Sequence, residues 1–90
     1  MSKSATVTSS AQAVAAGAKV VGVQFRGTAT AGSVVLKDGG ASGTVKLTVY
    51  SPASAAWAGF VSLGSGIDFG TDVYAVLTNV DGCTVIYDQV

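Results

Sequence analysis

Twelve glycines cut the 90-residue chain into short stretches, and most of those stretches are rich in β-branched or aromatic residues. Glycine supplies the positive φ angles and close approaches that turns need, so this punctuation favours short strands over long helices. Alternation of period two supports the same reading. Over 19–30, Val21, Val23 and Phe25 alternate with Gly22, Gln24 and Arg26. This predicts a half-buried strand with Val21, Val23 and Phe25 inward and Gln24, Arg26 and Thr28 outward. Residues 33–37 form a β-branched run closed by Asp38-Gly39-Gly40, and 43–50 follow with Val45, Leu47 and Val49 on one face. Asp-Gly suits a tight turn, so the pair predicts an antiparallel hairpin.

Ser51-Pro52 ends that run, because proline cannot donate to a ladder. With Ser51 as cap and Gly59 beyond the end, at most a short helical turn is expected near 52–58. Short apolar runs at 60–63 and 67–69 are separated by Gly64-Ser65-Gly66. Residues 72–78 and 83–88, joined by Asn79-Val80-Asp81-Gly82, predict a second hairpin. The whole reads as all-β: a small antiparallel β-sandwich or barrel of about six or seven short strands. The Ser/Thr/Ala-rich segment 1–18 is expected to be an N-terminal arm or edge strand, and 19–90 a single β-sandwich domain. In the arm, Lys19 interrupts the apolar run and Ser and Thr abound, which argues against a signal peptide.

Missing side chains exclude most chemistry. The chain has no histidine, no glutamate and one cysteine, Cys83. A Ser–His or Cys–His nucleophile is therefore impossible, and the commonest zinc and copper ligand is absent. The five aspartates are dispersed. Asp68 and Asp72, with Asn79 or Asp81, could offer oxygens to calcium, but the spacing matches no EF-hand loop and turn-forming aspartates are commoner. The expectation is no enzyme, no cofactor and no metal. Lys3, Lys19, Arg26, Lys37 and Lys46 are scattered and balanced by five acids, so no phosphate-binding face and no nucleic-acid partner is expected. No apolar run of 18 residues exists to span a membrane as a helix. Cys83 reads as a small buried hydrophobe.

Contact is what remains. Charged residues make up 11 % of the chain and the net charge is zero, against about 25 % charged in an average domain. So small a domain buries only about 60–65 % of its unfolded surface, and partners are one remedy. The candidate contact residues are Val7 and Val14, the sizeable apolar groups of the arm, and Arg26 on an outer strand face. Trp57 and Phe60 lie between strands, Trp57 suiting either a contact anchor or a cap over an open end. Tyr74 and Ile86 stand on the spare faces of the C-terminal strands.

Between 32 and 88 the chain carries a V-L-K-D-G…S-G-T hairpin at Val35, Leu36, Lys37, Asp38, Gly39, Ser42, Gly43 and Thr44. A later pattern follows at Gly66, Ile67, Phe69, Tyr74, Leu77, Asn79, Asp81, Thr84, Val85 and Tyr87. In both patterns this stretch resembles small virion proteins of tailed bacteriophages. The resemblance implies a capsid decoration (cement) protein or other minor head component, made in the host cytoplasm and located on the virion. Its partner would be the major capsid protein, and a homo-oligomer, a trimer by preference, is expected. The rival expectation is a carbohydrate- or receptor-binding β-sandwich module on the virion surface, with Trp57 or Tyr50 as stacking platforms.

Overall fold

In the computed structural model, which describes residues 2–53 and 58–89, the alternating runs become eight strands, with no helix among those residues. They are β1 (Ser2–Val7), β2 (Ala11–Val14), β3 (Ala18–Gly27), β4 (Gly32–Asp38), β5 (Thr44–Ser51), β6 (Ala58–Phe69), β7 (Val73–Thr78) and β8 (Val80–Gln89). The all-β sandwich is as expected, with one strand more than the upper expectation. The segment 1–18 supplies two edge strands, one to each sheet.

The sheets have the orders β1-β8-β3-β6 (sheet I) and β2-β7-β4-β5 (sheet II), with every pair antiparallel. This is the strand order of a double-sheet jelly roll. Pairing shows how it arises. Partner numbers rise on one side as they fall on the other, from Ser2↔Asp88 through Ala11↔Ala75 and Val20↔Ile67 to Asp38↔Thr44. The chain is one long hairpin with its tip after Asp38, rolled so that β3 also meets β8 and β4 also meets β7.

That roll corrects the second expected hairpin. β7 and β8 are consecutive but lie in different sheets, so only β4 and β5 form a sequential hairpin. The connection from β7 to β8 is the single residue Asn79, at φ 52°. Asparagine tolerates this left-handed conformation better than most residues do. Its side-chain amide donates to Ala31 O at 3.3 Å, and Thr28 Oγ1 donates to Asn79 O at 3.0 Å, so the β3–β4 link braces the corner. Gly32 permits that approach: a Cβ there would lie 2.0 Å from Thr78 O.

Bulges account for three further corrections. Between β4 and β5 the register steps from Leu36↔Leu47 to Lys37↔Val45, so Lys46 is an extra residue and Val45 faces outward with Lys37, while Leu47 and Val49 pack on the core. In β3 the pairing steps from Val20 to Gly22, making Val21 an extra residue. The phase shifts across it, so the inward residues are Ala18, Val20, Val23 and Phe25, with Val21 only half-buried. Opposite, β6 runs unbroken through Gly64 and Gly66, whose φ angles are 60° and 97°. The expected break there is a shift of register inside one strand, with Ile67 paired to Val20 and Ser62 to Gly22. As for the expected helical turn, Pro52 and Ala53 are not helical, Ala58 and Gly59 already belong to β6, and residues 54–57 lie outside the described residues.

The core lies between the sheets. Val20, Val23, Phe69 and Val85 from sheet I meet Val34, Leu36 and Val73 from sheet II, with Ala18, Ala75 and Cys83 filling narrower places. Each large side chain contributes about 1.5–3 kcal/mol by burial.

Candidate functional site

Since strand alternation sends half of each strand outward, the two outer faces are broad surfaces on which this molecule can meet a partner. Their rows follow from the register, because cross-strand partners share a face.

On sheet II the outward rows are Gln12–Tyr74–Lys37–Val45, then Val76–Val35–Thr48, then Thr78–Ser33–Tyr50. Antiparallel sheets with a solvated side normally present polar residues there. Here Val35, Tyr74 and Val76 are half-buried, while Val45 and Tyr50 keep 53 % and 77 % of their surface exposed. At the Tyr50 end a shallow depression of about 370 Å³ is lined by Ala31, Gly32, Ser33, Tyr50, Ser51 and Thr78.

Sheet I is different. Its outward rows are Ser4–Ile86–Gly22–Ser62 and Thr6–Thr84–Gln24–Phe60, followed by Gly82–Arg26–Ala58. The Phe60 ring, 58 % exposed, lies across Gly22, where an added Cβ would come within 2.9 Å of Cζ. Because both cross-strand neighbours of Arg26 are small, a depression of about 460 Å³ opens beside it, lined also by Thr6, Gln24, Asp81 and Thr84. The Thr6 and Thr84 hydroxyls are 2.8 Å apart and hydrogen-bonded. Lys19 and Asp68, 3.9 Å apart, form an exposed pair at the far end of this face, of a kind worth little in water.

The expected contact residues therefore separate. Arg26, Phe60 and Ile86 stand on the outer face of sheet I, and Tyr74 on that of sheet II. Val14 is a correction: it is buried in the core, because β2 turns it inward against β7. Val7 is half-buried and packs on the same core from β1. Trp57 lies outside the described residues. Asp81 and Thr84 were not among the expected contact residues. Asp81 looked like a turn residue, and only the register reveals Thr84 beside Gln24.

The aspartates that might have done chemistry are committed to the backbone. Asp38 accepts from Gly70 N at 3.0 Å, Thr71 N at 2.9 Å and Asp72 N at 3.4 Å. Asp72 reciprocates by accepting from Gly39 N at 2.8 Å and Gly40 N at 3.1 Å, and it takes Gln12 Nε2 at 2.8 Å. The N–H groups of Thr71 and Gly70 hold the Asp38 carboxyl below the usual range. The Gln12 amide, helped by Gly39 and Gly40, does the same for Asp72 against the opposing pull of burial. The pair ties the hairpin tip to the β6–β7 link. With Asp68 beside Lys19 and Asn79 bonded to Ala31, the conceivable calcium ligands are not gathered. No metal-binding group of three is found among the described residues. Burial pushes the Cys83 thiol up to about 11, leaving it a poor nucleophile.

Comparison with known proteins adds no relative: no family model, curated protein or solved structure matches the chain.

Proposed function

We propose that the chain is a structural virion protein that decorates and stabilises a bacteriophage capsid by binding major capsid subunits, itself assembled as a homo-oligomer, with a trimer favoured. The observation that carries this reading is the outward face of sheet II. Val35, Val45, Tyr50, Tyr74 and Val76 leave apolar surface where a solitary sandwich would be polar, and such patches mark contact sites. β5 adds the unpaired main-chain groups of an edge strand beside Val45 and Tyr50. The sequence resemblance supplies the capsid as the place of contact. Jelly rolls occur in viral capsid proteins and in lectins alike, so the fold agrees with the reading by analogy alone. A partner that binds only the folded chain would stabilise this small domain by mass action. A closed trimer would bury the same face three times over.

Electron cryomicroscopy of purified virions tests the proposal. Density for the eight-stranded domain on the capsid, with sheet II toward the shell or a neighbouring copy, is the expected result. A particle that lacks the protein overturns it. Replacing Val45 by Thr and Tyr50 by Ser together should lower capsid occupancy while the isolated domain still folds.

A further inference from the structure

The outer face of sheet I supports a different activity, independent of the capsid reading. β8 steps from Val80, opposite Gly27, to Gly82, opposite Arg26, so Asp81 is the extra residue of a bulge. Bulges re-aim side chains, and this one puts Asp81 on the wall of the same depression as Arg26. The two side chains carry opposite charges, yet they form no ion pair. Lys19 and Asp68, by contrast, do form one. Neither Arg26 nor Asp81 has any other side-chain hydrogen bond among those residues. Their donors and acceptors stand ready for a third party.

The lining specifies that party. Arg26 presents a donor fork and Asp81 an acceptor-only carboxylate, while Gln24, Thr6 and Thr84 both donate and accept. Ligand sites commonly enclose about 300–1,000 Å³, and this depression holds about 460 Å³. Adjacent hydroxyls on a ring, which donate to a carboxylate while accepting from a guanidinium or amide, match this set. An anion would meet the Asp81 carboxylate, and a purely apolar group would leave both charges unmatched. We infer that the depression formed by Thr6, Gln24, Arg26, Asp81 and Thr84 binds a neutral hexopyranose residue of a glycan.

The test uses the full chain, ¹⁵N-labelled, titrated with soluble oligosaccharides ending in glucose, galactose or mannose and with a glucuronate-terminated counterpart. At least one neutral sugar should shift the amide signals of Gln24, Arg26 and 81–84, and the glucuronate should bind more weakly. Asp81→Asn and Arg26→Ala should each weaken binding about tenfold. Gln24→Ala serves as a second, milder variant, and all three should melt as the parent does. The inference fails if no neutral sugar binds, if the shifts map to the Tyr50 face, if glucuronate binds tighter, or if the folded variants bind unchanged.

Discussion

The chain contains the dipeptide Asp-Gly twice, and the two copies do opposite things. Asp38-Gly39 opens the tip of the long hairpin, with Gly39 and Gly40 at φ 106° and 83° and Gly43 N donating to Gly40 O at 3.0 Å. Asp81-Gly82 lies inside β8, where Asp81 is a bulge and Gly82 is paired with Arg26. At the first, the aspartate is consumed by the backbone of another link. At the second, its carboxylate is left pointing outward. Turn chemistry is local, but whether a turn forms depends on where the flanking strands find partners.

Glycine substitutions should separate the two most sharply. A Cβ on Gly43 would lie 2.3 Å from Asp38 O and 2.6 Å from its carbonyl carbon. Gly43→Ala should therefore cost about 3 kcal/mol in urea unfolding. Asp72→Ala comes next. It strands the Gly39 and Gly40 N–H groups and the Gln12 amide, at a cost of about 2 kcal/mol. The same clamp sets an acid dependence. Asp38 and Asp72 both have folded-state pKa values below their unfolded ones. Their contribution is present in full above the unfolded value of about 3.9 and is lost as pH falls through the folded values. Stability measured from about pH 5 downward should fall with a slope that the Asp38→Asn, Asp72→Asn double variant reduces.

Effects at the second dipeptide should be smaller. Asn79→Val forces a β-branched residue into the left-handed corner and should cost about 1–2 kcal/mol in the same assay. Gly82→Ala meets Val7 O at 3.6 Å and Thr8 Cγ2 at 4.0 Å, ordinary contacts, and should change stability by less than about 0.5 kcal/mol. A large loss at Gly82 would mean that the second dipeptide is a turn after all, and the contrast would collapse.

What the sequence disclosed follows from what alternation encodes. It identified β3, β4, β5, β7 and β8 and the β4–β5 hairpin, because these rest on neighbours in the chain, but it read β6 as two runs and did not separate β2 from the N-terminal segment. It placed Gln24 and Arg26 outward correctly, since β3 is regular after Gly22. It misassigned Val21 for Val20, because a one-residue bulge inverts the phase and nothing local marks it. It also joined β7 to β8, since proximity in sequence looked like pairing while their true partners lie up to 86 positions away at Ser2↔Asp88. The depression beside Arg26 was illegible for the same reason: the small neighbours that open it, Ala58 and Gly82, come from two other strands. Tyr74 and Ile86 were recognised as outward because their strands are apolar on both faces.

The rolled hairpin also sets an order of events during synthesis. β1 is made long before its partner β8, so sheet I cannot close at that edge until residue 88 has left the ribosome. The β4–β5 pair can form first as the chain emerges, since it alone joins strands with nothing between them but a tip. Such a fold is slow by topology. The emerging half-molecule exposes Val20, Val23 and Phe25 with no second sheet to cover them, a window in which chaperones would find it.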